Sequence, residues 1–111
     1  MAAASKQVVW SLEADRDLLD IWSFLASAAS PEVADDQIRK IVRACEPLSD
    51  QPLLGRMRDE LVPGLRSKIA YPHVIFYRVT TAAVEIVRVF DGRRDLDDIF
   101  EDDVGDRGRT G

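Results

Sequence analysis

The spacing of apolar residues changes along the chain, and each change predicts a new element. Residues 7–12, QVVWSL, are short and rich in β-branched and aromatic side chains. They predict a strand with Val8, Trp10 and Leu12 on one face. Ser11 can cap a following helix, because its hydroxyl can accept a backbone N–H one turn on. Asp15 and Asp17 fall in the first turns, where the helix dipole favours carboxylates. Ala14, Leu18, Ile21, Trp22, Leu25 and Ala28 then form one stripe at helical spacing. Ser30-Pro31-Glu32 starts a second helix, with Ser30 as cap and Pro31 at its first position. Its stripe is Ala34, Ile38, Ile41, Val42, Cys45 and Leu48. Pro47 lacks an N–H, and its ring would clash with the carbonyl of Arg43, so this helix should stop or kink near Glu46. The join at Ala29–Ser30 is short enough only for a helical hairpin.

Residues 50–64 contain Pro52, Gly55, Pro63 and Gly64 and predict a loop. Three strands should follow, at 65–70, 73–79 and 83–90, with hairpin breaks at Tyr71-Pro72 and Thr80–Ala82. In the second, Val74 and Phe76 share one face, and Ile75, Tyr77 and Val79 the other. In the third, Val84, Ile86 and Phe90 share one face, and Val87 and Val89 the other. Both are apolar on two sides, which predicts central positions in the sheet. Leu96–Phe100 predicts a short C-terminal helix begun at Asp95. Residues 101–111, EDDVGDRGRTG, have no apolar period and read as a disordered acidic tail. The expected fold is α+β in a single domain over residues 1–100: an N-terminal strand that joins the sheet, an α-helical hairpin over one sheet face, a three-stranded antiparallel meander and a short C-terminal helix. The opposite sheet face still carries apolar residues, so either the tail or a partner should cover it.

Composition narrows the functional classes. The 111 residues suit one domain, and 46% hydrophobic with 32% charged is an ordinary soluble balance. No apolar run approaches the roughly 20 residues of a membrane helix, and MAAASKQ has no apolar core for a secretory signal. Cys45 is the only cysteine, which rules out an internal disulfide and makes a reducing cytoplasm the simplest compartment. One histidine, His73, and one cysteine cannot build a Cys/His zinc site. Asp95, Asp97 and Asp98 fit helix capping better than metal binding. The sequence therefore suggests no metal, no cofactor and no catalytic nucleophile–base pair.

The net charge is −5, which argues against nonspecific nucleic-acid coating. That charge is uneven. Residues 1–50 carry five Lys/Arg against nine Asp/Glu, residues 51–94 eight against four, and residues 95–111 two against seven. Arg56 and Arg58 lie in the loop. Arg66 and Lys68 alternate on the first meander strand and so share a face. Arg78 and Arg88 lie on the neighbouring strands, and Gly92 lets the chain turn before Arg93 and Arg94. These cations can solvate the sheet and pair with Asp59, Glu85 and the tail, or they can form a basic surface for a partner. One of Arg93 and Arg94 can also pair with Asp15 or Asp17 and fasten the C-terminus to the hairpin.

Four segments, WSLEADRDLLDIW (10–22), PLLGRMRDELVPGLRS (52–67), HVIFYRV (73–79) and IVRVFDGRRDLDDIF (86–100), resemble the ParE branch of the RelE/ParE toxin superfamily of type II toxin–antitoxin systems. The resemblance spans about residues 7–100. It implies a small cytoplasmic toxin of RelE/ParE-like fold. It also implies a ParD-like antitoxin with a ribbon-helix-helix N-terminus and a C-terminal segment that folds over the hairpin and sheet. DNA gyrase is the implied target, with growth arrest as the outcome, no catalysis by the chain and no direct nucleic-acid binding. Candidate target- or antitoxin-binding residues, read from the cations and the hairpin stripe, are Arg58, Arg66, Lys68, Tyr77, Arg78, Arg88, Arg93 and Arg94 on the sheet side, with Trp22, Leu25 and Ile38 on the hairpin. RelE-like relatives instead cleave mRNA on the ribosome with Lys, Arg, Tyr, Glu or His. Many relatives have a histidine before GRRD, where this chain has Asp91, and a carboxylate there disfavours RNA cleavage. An mRNA endonuclease and a non-toxic antitoxin-binding module remain the alternatives.

Overall fold

The computed structural model of the chain describes residues 5–93. Strand β1 (Gln7–Trp10) leads into helices α1 (Leu12–Ala28) and α2 (Pro31–Cys45), a 3₁₀ turn at Glu46–Ser49, and strands β2 (Arg56–Met57), β3 (Arg66–Ala70), β4 (His73–Val79) and β5 (Ala83–Asp91). One sheet in the order β1-β5-β4-β3-β2 holds all five strands; β1 runs parallel to β5 and the other pairs are antiparallel. The hairpin packs on one face. Both helix starts are capped as the sequence predicts: Ser11 Oγ accepts from Ala14 N at 3.0 Å, and Ser30 Oγ from Val33 N at 3.1 Å. Pro47 ends α2 at Cys45 and turns the chain into the 3₁₀ segment. The expected C-terminal helix and tail, and Arg94, lie outside the described residues.

Four expectations need correction. Leu12 is not a strand residue; it opens α1 and is exposed. The strand ends at Trp10 because Ser11, its N–H bonded to Ile86 O, already serves as the helix cap. The predicted loop at 50–64 contains β2, a two-residue strand too short to show a period, extended by the Arg58 N to Leu65 O bond of 2.8 Å. The faces of β5 also change along its length. Phe76 pairs with Arg88 but Tyr77 with Ile86, so Val87 is an extra residue in a bulge. Val84, Ile86 and Val89 therefore face the hairpin, while Val87 and Phe90 pack on the far side. Finally, part of the far face is covered from within the domain. Leu61, Val62 and Leu65 of the loop before β3 close over Phe76 and Phe90.

Beyond Trp10, β1 no longer accompanies β5, and the start of α1 takes over its role at that edge. Ser11 N and Oγ donate to Ile86 O and Val87 O at 3.0 and 2.8 Å. Asp17 Oδ2 accepts from Val89 N at 2.9 Å. Side chains thus satisfy backbone groups that a longer strand would otherwise pair. The same Asp17 carboxylate takes two bonds from Arg88, Nε at 2.9 Å and Nη2 at 3.1 Å. The helix start, the bulge and the last central strand are joined at this one buried acid.

Candidate partner-binding site

Two surfaces can be weighed: the cations predicted on the sheet, and the hairpin. The cations do not form one face. Cross-strand pairing places Arg66 and Lys68 beside Tyr77 and Ile75 on the helix side, and Arg78 and Arg88 beside Glu85 and Phe76 on the other. Most are held internally. Arg58 bonds Glu60 at 2.7 Å and lies 5.7 Å from the Phe76 ring centre. Arg66 Nη1 donates to the carbonyls of Gly55 and Leu53 at 2.8 and 3.2 Å, so it braces the loop before β2. Arg78 pairs with Glu85 at 2.6 Å. Arg88 combines the Asp17 pair with a position 4.4 Å over the Phe90 ring. Lys68 is half-buried and makes no ion pair among the described residues.

Tyr77 departs furthest from its predicted place. It is fully buried, so it is core and not a surface aromatic. Its hydroxyl accepts from Gly55 N at 2.7 Å and donates to Pro52 O at 2.8 Å. Burial raises its pKa, which keeps the donor proton in place. The internal role foreseen for the arginine pair is also placed differently. Asp17 meets Arg88, 71 residues away in sequence, and Arg93 closes back on Asp91 through Nε at 2.9 Å. Hydrogen bonds from Arg93 hold the Asp91 carboxyl well below the usual carboxylate range. Cys45 is inert for a similar reason of environment: burial pushes its thiol up to about 12.

His73 is a buried structural residue. Gln37 Nε2 lies 3.1 Å from Ala70 O, 3.2 Å from Tyr71 O and 2.9 Å from His73 Nδ1. Two carbonyls fix this end of the amide as its donor, so Nδ1 accepts and the neutral ring keeps its proton on Nε2. Burial lowers the His73 pKa; Asp91 opposes this and Arg93 adds to it. The unfolded state therefore binds a proton at pH values where the native state does not. Stability is expected to be full above about pH 6.5 and to fall as pH drops below it. Urea titrations of the wild type and His73→Gln between pH 5 and 7.5 check this. The wild-type slope should flatten in the variant, and equal slopes would contradict it.

The hairpin offers a continuous apolar surface. Leu18, Leu19, Trp22 and Ile38, with Asp15 at one end, line an open groove of about 400 Å³. Leu19 is 68% exposed and Trp22 37%. The Trp22 indole N–H donates to Asp35 at 2.8 Å, which ties its ring across to α2. Two of the three hairpin residues named from sequence, Trp22 and Ile38, thus meet in one groove. Leu25 lines a different cleft, with Val33, Gln37, Pro72 and His73. Leu19 lies off the inner stripe of α1 and so is not among the residues that stripe predicts. The missed signal was a second stripe, Leu12, Asp15, Leu19 and Trp22, at steps of three, four and three. Further exposed apolar residues, Leu53, Leu54, Met57 and Ile69, lie on β2, β3 and the loop before them, Met57 and Ile69 on opposite faces. No helix among the described residues is long and apolar enough to cross a membrane.

A helical hairpin packed on a β1-β5-β4-β3-β2 sheet defines an α+β protein of RelE/ParE-like fold, and its open side is an apolar helical groove. The family model described as "ParE toxin of type II toxin-antitoxin system, parDE" matches residues 8–96. Toxin ParE1 of Mycobacterium tuberculosis is 32% identical over 94 residues, covering 84% of this chain and 96% of its own. Toxin ParE1 of Caulobacter vibrioides is 35% identical over 79 residues, covering 71% and 81%. A solved structure titled "Chromosomal ParDE TA system from P. aeruginosa" superposes with a TM-score of 0.70 at 25% identity, covering 80% of this chain and 98% of that one. The chain belongs to the ParE toxin family of type II toxin–antitoxin systems.

Proposed function

We propose that this toxin inhibits DNA gyrase in the cytoplasm without catalysing a reaction. We further propose that a ParD-like antitoxin neutralises it by laying its C-terminal segment in the groove between α1 and α2. The observation that carries the choice of target is how the polar groups of the sheet are used. RNA cleavage needs a proton acceptor, a proton donor and free cations around one phosphate. Here Tyr77 is buried, Arg66 is spent on backbone carbonyls, and Arg93 is closed on an ionised Asp91. A carboxylate at Asp91 would also repel the scissile phosphate. This disposition favours a protein target over mRNA. For the antitoxin, the open groove at Leu19 and Trp22 supports helix-in-groove docking.

The test is a supercoiling assay of purified gyrase against increasing toxin, with transcript ends mapped after induced expression. Loss of supercoiling without new cleavage sites in mRNA is the expected outcome. Unaltered gyrase together with ribosome-dependent cleavage would replace this reading by the RelE-like one. Harmless expression with tight antitoxin binding would leave only the binding module.

A further inference from the structure

We propose that Asp15 makes the hairpin groove selective for charge: its occupant is an amphipathic helix that carries a lysine or arginine between its apolar anchors. The proposal rests on the groove being the antitoxin's seat. Leu12, Asp15, Leu19 and Trp22 fall on one exposed stripe of α1 at the spacing of a coiled-coil seam, about 15 Å long. Leu12 is 60% exposed, so the apolar line continues beyond the groove itself. A seam of this spacing suits a helix. Helix side chains form its walls, with Ile38 of α2 opposite, and no strand residue lines it to pair an extended peptide.

Asp15 is the single charged residue among those lining the groove. Its carboxylate takes no hydrogen bond and no ion pair among the described residues. Glu13 and Asp20 on the same helix are likewise unpaired among the described residues, but neither lines the groove; Asp17 is bound by Arg88, Asp35 by Trp22 and Asp36 by Arg39. Positions three and four away from Asp15 hold Leu12, Leu18, Leu19 and Ser11, so its own helix supplies no cation. Water solvates Asp15 while the groove is open. An apolar helix laid on Leu12, Leu19 and Trp22 would strip that water and leave a covered, unpaired charge, which is heavily penalised. A helix with an acidic residue at that level is rejected by repulsion as well. One bearing a guanidinium or ammonium group there converts the penalty into a charge-assisted bond, with arginine able to pair in two places. Asp15 would therefore act mainly against wrong partners, while Leu19 and Trp22 supply most of the affinity.

The probe is a full-length ParD-like antitoxin that binds this toxin, titrated against wild-type toxin, Asp15→Asn, Asp15→Arg and Leu19→Lys. Each substituted position is exposed, and unchanged circular dichroism will show that each variant is folded. Expected are about tenfold weaker binding for Asp15→Asn and a hundredfold or more for Asp15→Arg. Binding to Asp15→Arg should return when one Lys or Arg of the antitoxin's C-terminal segment is changed to Glu. A merely structural role in the first turn of α1 would not produce that rescue. Near-normal binding by Asp15→Arg, with binding lost in Leu19→Lys, would overturn the role of Asp15 and leave the groove as the seat. So would the absence of rescue by every charge reversal tried. Normal binding by both Asp15→Arg and Leu19→Lys would remove the groove as the antitoxin's seat, and this proposal with it.

Discussion

Asp17→Ala is expected to lower the unfolding free energy by about 3–5 kcal/mol, the usual cost of breaking a buried pair by removing one partner. Both side chains are well covered, at 10% exposure for Asp17 and 18% for Arg88. Alanine would take the Asp17 carboxylate, and both of its bonds, away from the Arg88 guanidinium beside Phe90. It would also remove the acceptor of the Val89 N–H, at an edge that β1 leaves after Trp10. Asp17→Asn should fall between wild type and alanine, since an amide oxygen can still accept from Val89 N. Urea unfolding monitored by tryptophan fluorescence gives all three values. A loss below about 1 kcal/mol for alanine would mean that water replaces the carboxylate at the β5 edge.

Gly55→Ala is the second large effect, at about 3 kcal/mol, from overpacking combined with a broken buried hydrogen bond. A Cβ at position 55 would lie 2.5 Å from the Tyr77 hydroxyl and 2.7 Å from Ser67 O. Neither can retreat easily. Tyr77 is fully enclosed in the core, and Ser67 O belongs to the backbone of β3. Moving the loop outward instead would break the Gly55 N to Tyr77 bond and the Arg66 bonds to Leu53 and Gly55. Tyr77→Phe supplies a milder comparison: it removes the hydroxyl without overfilling the site, and should cost about 1–3 kcal/mol. If Gly55→Ala proved no worse than Tyr77→Phe in the same unfolding experiment, crowding would not be the reason for glycine here.

These residues also mark how far the sequence could be read. Asp17 is legible as a carboxylate near a helix start, but the sequence points only to the arginines after Gly92 as its partner. The actual partner, Arg88, is chosen by the point at which β1 ends and α1 takes over the β5 edge. Gly55 was visible only as a loop glycine. Its need for a missing side chain arises from a tyrosine 22 residues later. In the candidate site, Trp22 and Ile38 are legible on the hairpin stripes, whereas Leu19 lies off the inner stripe of α1 and is not.

The sequence carried the family through four segments spread along the chain. By itself it also determined the order β1-α1-α2-β3-β4-β5, both helix caps, the end of α2 at Pro47 and the central place of β4 and β5. Each is set by neighbours within a few positions: a hydroxyl one turn from an N–H, a ring against a preceding carbonyl, a period of two or of 3.6. Only the tertiary structure decided which side of the sheet each arginine occupies, that Tyr77 is core, that a bulge at Val87 exchanges the faces of β5, and that the far face is partly covered from within. Those outcomes depend on which strands pair and in what register. A single inserted residue reverses a strand's alternation, and an ion pair forms between groups that packing brings together from opposite ends of the chain.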